Sequence, residues 1–277
     1  MSGILTGVTL SVVIITHNEE ANIGRTLASV QALVLDGKGE IIVVDSGSTD
    51  RTVEIAKSFG AQVFIEEWKG YAAQKNSAIA KATGDWILSL DADELLSDEL
   101  PAGAIGFSIP EFLDVVDRNR GKKPYPADLN SFRFHRRNHF MGRWIKHGGF
   151  WPDPKVRLFK RGTGQFEERA VHESLKVGGS TFPIGPDILH HSYPTLSDYL
   201  DHMNRYSSLG AEMITAKGHV RFSVFNIVLR PAATFVYNYF FRLGFLDGRE
   251  GLLLHLYHAA YVSWKYAKAW ELQKKSK

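Results

Sequence analysis

Trp86-Ile-Leu-Ser-Leu-Asp91-Ala-Asp93-Glu94 is a short apolar run that ends abruptly in acids. Such a run reads as a strand buried on both faces of a parallel sheet, with the acids immediately beyond its carboxyl end. In open parallel sheets, ligands collect outside the carboxyl ends of strands. Two carboxylates separated by one residue can hold a divalent cation there, and that cation can bridge the two phosphates of a nucleotide diphosphate. Asp-x-Asp alone is common in solvated turns, so its weight comes from what surrounds it.

Working outward, three further strands are expected upstream, at Leu10 to Ile15, Glu40 to Val44 and Gln62 to Ile65, each buried on both faces. Helical patterns lie between them. Asn18 is a plausible N-cap for a helix with Ile23, Leu27 and Val30 on one face, and Ser48 or Thr49 caps a second that Gly60 closes. A third runs from Tyr71 to Thr83 and stops at Gly84. This alternation predicts an α/β fold with a mostly parallel sheet flanked by helices.

Residues 1–100 therefore read as the nucleotide-binding half. Residues 101–194, rich in Pro, Gly, Arg and aromatics, read as the acceptor-binding and catalytic half of the same domain, with strand-like alternation in Phe132-Arg133-Phe134 and Val156-Arg157-Leu158. Residues 195–277 are helical in pattern.

With 277 residues, 44% of them apolar, the chain buries a sizeable core without staples. The absence of cysteine excludes disulfides and thiolate chemistry and fits a reducing, cytoplasmic setting. No Lys or Arg precedes Arg25, and the first apolar run is short, so no export signal is expected. Formal charge is only +3, yet Arg118 to Arg161 holds thirteen Lys or Arg against two acids, a bias that attracts phosphorylated ligands or an anionic surface.

Neither G-x-G-x-x-G nor a Walker A motif is present, which argues against a dinucleotide-dependent oxidoreductase and a P-loop enzyme. Nucleic-acid binding, arguable from Phe132, Phe134 and Trp144 within the basic stretch, leaves Asp91 and Asp93 unexplained.

The tail from Phe222 to Trp270 is dense in aromatics, but Asn226, Arg230, Asn238, Arg242 and Glu250 interrupt every long apolar run. A spanning helix is not expected. Pro231 suits the first turn of a helix with Thr234, Asn238 and Arg242 on one stripe and a broad apolar face opposite. With Lys265, Lys268, Lys274 and Lys275 near Trp264 and Trp270, the pattern describes either a helix pair lying on an anionic membrane or one packed on the catalytic domain or a second subunit.

Polar groups also end the first two strands, in Thr16-His17-Asn18-Glu19-Glu20 and in Asp45-Ser46-Gly47-Ser48-Thr49-Asp50, each ahead of a helix N-terminus that favours anions. Asp45 is suited to accept from a base N–H, and Ser48 or Thr49 to donate to ribose or phosphate. Helix capping explains Asn18, Ser48 and Thr49 equally well. Arg157 and its neighbouring arginines suit a donor diphosphate or acceptor phosphates, because guanidinium forks fit phosphate oxygens.

These motifs, with Gln74-Lys75-Asn76 and Leu90-Asp-Ala-Asp-Glu94, resemble glycosyltransferase family 2, whose nucleotide-binding fold is GT-A. Arg157-Leu-Phe-Lys160, Val171-His-Glu173, Ile188-Leu-His190 and Gly244-Phe-Leu-Asp-Gly248 are similar to the branch that includes lipopolysaccharide core β-glucosyltransferases. The resemblance implies an inverting transfer of a hexose, glucose in that branch, from a UDP-sugar to an anionic glycan or glycolipid. It implies Glu173 as general base, Asp93 on Mg²⁺ or Mn²⁺, Asp91 on metal or ribose, Asp45 with Lys75 near the nucleobase, and His190 or its neighbour His191 completing the metal site.

Thr16, Asn18, Glu19, Ser48 and Arg157 complete the expected donor contacts. The expected setting is peripheral, on the cytoplasmic face of the inner membrane, with a homo-oligomer left open. Transfer to a polyprenyl phosphate and a non-catalytic nucleotide-sugar-binding module are the alternatives.

Overall fold

The computed structural model describes residues 8–35, 37–97, 109–167, 173–218 and 221–275. They form two compact units. The first holds the described residues up to 136 with 154–167 and 173–189, and the second holds 137–153 and 190–275.

In the first unit strands and helices alternate as β1 (Leu10–Thr16), α1 (Ile23–Val34), β2 (Gly39–Asp45), α2 (Thr52–Ser58), β3 (Gln62–Ile65), α3 (Tyr71–Lys81) and β4 (Trp86–Asp91). Along the chain then follow β5 (Glu94–Leu96), α4 (Ile109–Arg118), β6 (Leu129–Phe140), β7 (Arg143–Trp144), β8 (Pro154–Lys160), β9 (Gly164–Glu167), β10 (Ser174–Val177), β11 (Ser180–Pro183) and β12 (Ile188–Tyr193), of which β7 and the later parts of β6 and β12 belong to the second unit. In space the sheet runs β3-β2-β1-β4-β8-β6, the first four strands parallel and β8 antiparallel to both of its neighbours.

Side chains alternate across a strand, and the central strands use both faces. Val12, Ile14, Ile41, Val43, Leu88 and Leu90 meet Ile23, Leu27 and Val30 of α1 and Leu113 of α4 on one side. Val13, Ile15, Ile42, Val44 and Ile87 meet Ala78 and the neighbouring Ala82 at the end of α3 on the other. β3 departs from the expected double burial because it is the edge strand: Gln62 and Ile65 are exposed.

Helix starts also differ from expectation. Asn18 caps nothing, and α1 begins at Ile23 after Asn22, without a side-chain cap. Neither Ser48 nor Thr49 caps α2; instead Asp50 Oδ1 accepts from the Thr52 backbone N–H at 2.9 Å. Both loops carry other bonds that move the helix starts downstream.

The second unit packs α5 (Leu196–Ala216) along α7 (Gly248–Lys275), with Phe140, Ile145, Tyr199, Met203 and Leu254 as core. Thr195 and Asp198 form a reciprocal capping box at the start of α5. Buried Asp247 accepts from the backbone N–H of Lys146 at 3.1 Å and of His147 at 2.8 Å, and so ties the 146–147 loop to the start of α7. Lys268 donates to Asn204, Ser207 and Ser208 of α5, and Lys265 lies against Gly210. These two lysines join helices within the unit. Of the two settings open for these lysines, the structure shows contacts with α5 for Lys265 and Lys268.

Close strand packing sets a testable limit at Gly39, where an added Cβ would lie 1.9 Å from the Leu10 carbonyl oxygen. Backbone cannot yield there without parting β1 from β2. Gly39→Ala should lower stability by about 3 kcal/mol, the upper end for overpacking, read from the urea midpoint against wild type.

Candidate active site

Strand order places the site. The chain winds from β1 through β2 to β3 on one side, then returns to β4 on the other side of β1, so β1 and β4 flank a topological switch point. Register brings the polar ends level: Ile15 pairs with Asp91, and Thr16 pairs with Asp45.

The loops after β1 and β2 interlock. Asn18, in the left-handed region at φ 54°, donates its backbone N–H to Ser48 Oγ at 2.8 Å and accepts from Thr49 N–H at 2.8 Å. The Glu19 N–H reaches Thr52 Oγ1 at 2.7 Å. Fully buried Asp45 accepts from the N–H groups of Gly47 and Ser48 through Oδ1, and from the Ser48 hydroxyl through Oδ2. The turn after β2 is therefore prebuilt around Asp45, with acceptor capacity remaining on Oδ2. Thr16 Oγ1, the Ser46 hydroxyl and both polar atoms of the Gln74 amide are buried and have no partner among the described residues. Buried polar groups cost free energy unless paired, so these atoms are held at a cost beside the loop.

Beside them is a buried ionic chain. Lys75, only 3% exposed, places Nζ 2.7 Å from Asp91 Oδ1 and 2.6 Å from Glu173 Oε1. Arg157 donates to Asp91 Oδ2 at 2.7 Å and to fully buried Glu94 at 2.6 Å, and Arg136 reaches Glu94 at 3.1 Å. Burial works to discharge Lys75, but Asp91 and Glu173 hold its pKa above the ordinary lysine value. Burial likewise pushes the Glu173 carboxyl up, and the Lys75 ammonium overrides it, holding the carboxyl below its ordinary 4.5. Asn76 fixes β9 by exchanging two hydrogen bonds with the Phe166 backbone, and Lys75 lies 5.1 Å over the Phe166 ring.

Glu19 stands near further acids. Burial, followed by the charges of Asp93, Asp50 and Asp91, raises the Glu19 pKa in spite of a hydrogen bond from Asn22. Crowded carboxylate oxygens at a strand end suit a hard cation such as Mg²⁺ or Mn²⁺, which would relieve this repulsion. No three His, Asp or Glu side chains among the described residues are gathered as a metal cage.

His190 lies in the second unit, its Nδ1 2.8 Å from Asn138 Oδ1 and 2.7 Å from Ser192 Oγ, and His191 stacks on His139. The motif residues Val171 and His172, and Arg169, lie outside the described residues.

Residues 11–161 match the family model for Glycosyl transferase family 2. The chain belongs to glycosyltransferase family 2. An uncharacterised glycosyltransferase of Rickettsia typhi is 30% identical over 97% of this chain and 89% of its own length. The lipopolysaccharide core biosynthesis glycosyltransferase LpsC of Rhizobium meliloti is 28% identical over 95% of this chain and 92% of its own. A mannosyltransferase from Pyrobaculum calidifontis, in complex with GDP-Man and Mn²⁺, shares the fold at 17% identity, with a TM-score of 0.50 over 96% of this chain and 88% of that one. The expected GT-A arrangement, a mostly parallel sheet flanked by helices with long C-terminal helices, is the one observed.

In this family 2 enzyme the structure brings Lys75, Asp91, Arg157 and Glu173 into one cluster. Sequence reasoning missed four residues of the candidate site: Glu94, Arg136, Gln74 and Ser46. Glu94 had a signal, since it directly follows the Asp-Ala-Asp motif, and Gln74 stands beside Lys75. Arg136 had none within its own segment. Glu94→Leu should lower stability by about 3 kcal/mol by removing one of the two carboxylates that meet the buried Arg157 charge, measured by urea denaturation; an unchanged midpoint would mean that Asp91 alone suffices for Arg157.

Proposed function

We propose that this enzyme transfers a hexose, glucose on the resemblance of its C-terminal motifs, from a UDP-sugar to an anionic glycan of the lipopolysaccharide-core type, with inversion. The observation that carries the reading is the Lys75–Glu173 pair beside Asp91 at the β1/β4 switch point. LpsC supports the choice of acceptor class by similarity over nearly the whole chain.

Thr16, Ser46 and Gln74 supply sockets for the nucleotide, and Asn18, Glu19, Asp45 and Ser48 shape the loops around it. A Mg²⁺ or Mn²⁺ ion, when bound, offsets the charge of the leaving diphosphate. Asp93 is assigned to it first. Both oxygens of Asp91 already face cations, so Asp91 serves chiefly to hold Lys75 and Arg157 and to receive a ribose hydroxyl. His190 enters this reading on its sequence motif alone.

Glu173 stays ionised at neutral pH because Lys75 stabilises its carboxylate. It accepts the proton of the acceptor hydroxyl while that oxygen bonds to the anomeric carbon, and the bond from that carbon to the diphosphate breaks on the opposite face. The nucleotide leaves as its diphosphate, with Arg157 and Lys75 as the nearest fixed positive charges.

The primary test is release of nucleotide diphosphate from a panel of nucleotide sugars, with Mn²⁺ or Mg²⁺ and with chelator, in the presence and absence of lipopolysaccharide-core acceptors. Metal-dependent release from UDP-glucose is expected; release from a different donor alone would replace glucose. Glu173→Gln should cut kcat by about 10²–10⁴ with donor affinity unchanged, and undiminished turnover would assign the base elsewhere. Asp93→Ala should remove the metal dependence of donor binding seen by calorimetry.

The Lys75–Glu173 pair also fixes the pH behaviour. Without Lys75, burial and the Asp91 charge remain and both raise the Glu173 pKa. The carboxylate is the active form, so the acidic limb of kcat/KM should move to higher pH in Lys75→Met and return toward wild type in Lys75→Arg. A limb that stays in place in both variants would separate Lys75 from the base.

A further inference from the structure

The helical segment before α7 is amphipathic the wrong way round for water. It runs as a π-helical turn at Phe225–Leu229, then α6 (Arg230–Val236), then a second π-helical turn at Tyr237–Phe241. Every residue at positions 224, 228, 232, 236 and 240, and every one at 225, 229, 233, 237 and 241, is exposed, and all are aliphatic or aromatic. The polar residues Asn226, Thr234 and Asn238 are instead half-buried on the inner side, where Ser263 of α7 donates to the Ile227 carbonyl at 2.8 Å.

The two π-helical turns explain how the stripe stays on one side. In an α-helix, steps of four residues drift by about 40° each, so a row of four such steps would wind well around the axis. A π-helical turn holds more residues and takes up part of that drift. Pro231, which has no N–H to give, stands two residues after the first of them.

Charge selects the occupant. From 221 to 246 the chain has no acidic residue, while Arg221, Arg230, Arg242 and, just beyond, Arg249 are exposed around the apolar rows. None of the four is paired with a carboxylate among the described residues. A second copy docking by the same face would oppose arginine to arginine, whereas an anionic surface neutralises them. The exposed apolar patch is continuous with Leu243, Phe245 and Leu246, all at least 43% exposed. No helix among the described residues is long and apolar enough to cross a membrane.

We infer that the 224–246 face, anchored by Phe225, Leu229, Tyr237, Phe240 and Phe241 and rimmed by these arginines, lies in the interface of an anionic lipid bilayer. The apolar rows enter the headgroup and acyl boundary, and the arginines stay at phosphate level. The inference does not depend on the choice of donor or acceptor, because lipid binding is read without turnover.

The test is co-sedimentation of the full chain with phosphatidylglycerol-containing vesicles and with vesicles of phosphatidylcholine alone, at low and high salt. Wild type should pellet with the anionic vesicles, and binding should weaken at high salt and without the anionic lipid. The double variant Phe240→Ser, Phe241→Ser removes side chains that already face solvent, so its thermal melt should match wild type while vesicle affinity falls at least about tenfold. Binding that is equal in variant and wild type, or absent in wild type, overturns the assignment. A concentration-dependent dimer abolished by the same double variant, without vesicle binding, assigns the face to a second copy instead.

Discussion

A lysine ammonium at 3% exposure is tolerable only where opposite charge meets it at hydrogen-bond distance. Lys75 has two such partners, Asp91 and Glu173, and Arg157 has Asp91 and Glu94. Removing one member strands the next, so β4, β8, α3 and the segment before β10 must keep their mutual positions. The sheet supplies that constancy: β4 is held between parallel β1 and antiparallel β8. Charge pairing and sheet register therefore restrain the same atoms from two directions.

Two kinds of acid sit at the switch point. Asp91, Glu94 and Glu173 are matched by cations and belong to a rigid framework. Glu19 lies near Asp93, Asp50 and Asp91, and its raised pKa records burial and their charge. In the proposed reading the first kind orients the reacting groups and the second attracts a metal. The proposed reading gives the buried atoms of Thr16, Ser46 and Gln74 that have no partner among the described residues to the nucleotide.

Much of the fold was legible. The apolar runs at Leu10, Glu40, Gln62 and Trp86 became β1 to β4 within a residue or two at each end. Ile23, Leu27 and Val30 do form the buried face of α1. Cap residues were misread because Asn18 and Ser48 bond to each other across two loops, thirty residues apart, and so are spent before a helix can use them. Lys265 and Lys268 read equally as interfacial cations or as packing residues, and α5 supplies their surroundings. Of the cluster, Asp91, Lys75, Arg157 and Glu173 were each legible as candidates, but not as a single ionic chain.

The amino-acid sequence by itself determined the element types and the presence of carboxylates at strand ends, because those depend on neighbours a few residues away. It also determined the apolar character of the stretch from Phe222 to Leu246. Only the tertiary structure decided that Lys75 meets a carboxylate 98 positions away, and that the polar side of the helix through α6 turns inward. Both outcomes rest on which surfaces the fold brings together. A buried charge takes the partner that packing delivers, and a helix face meets solvent only if nothing else covers it.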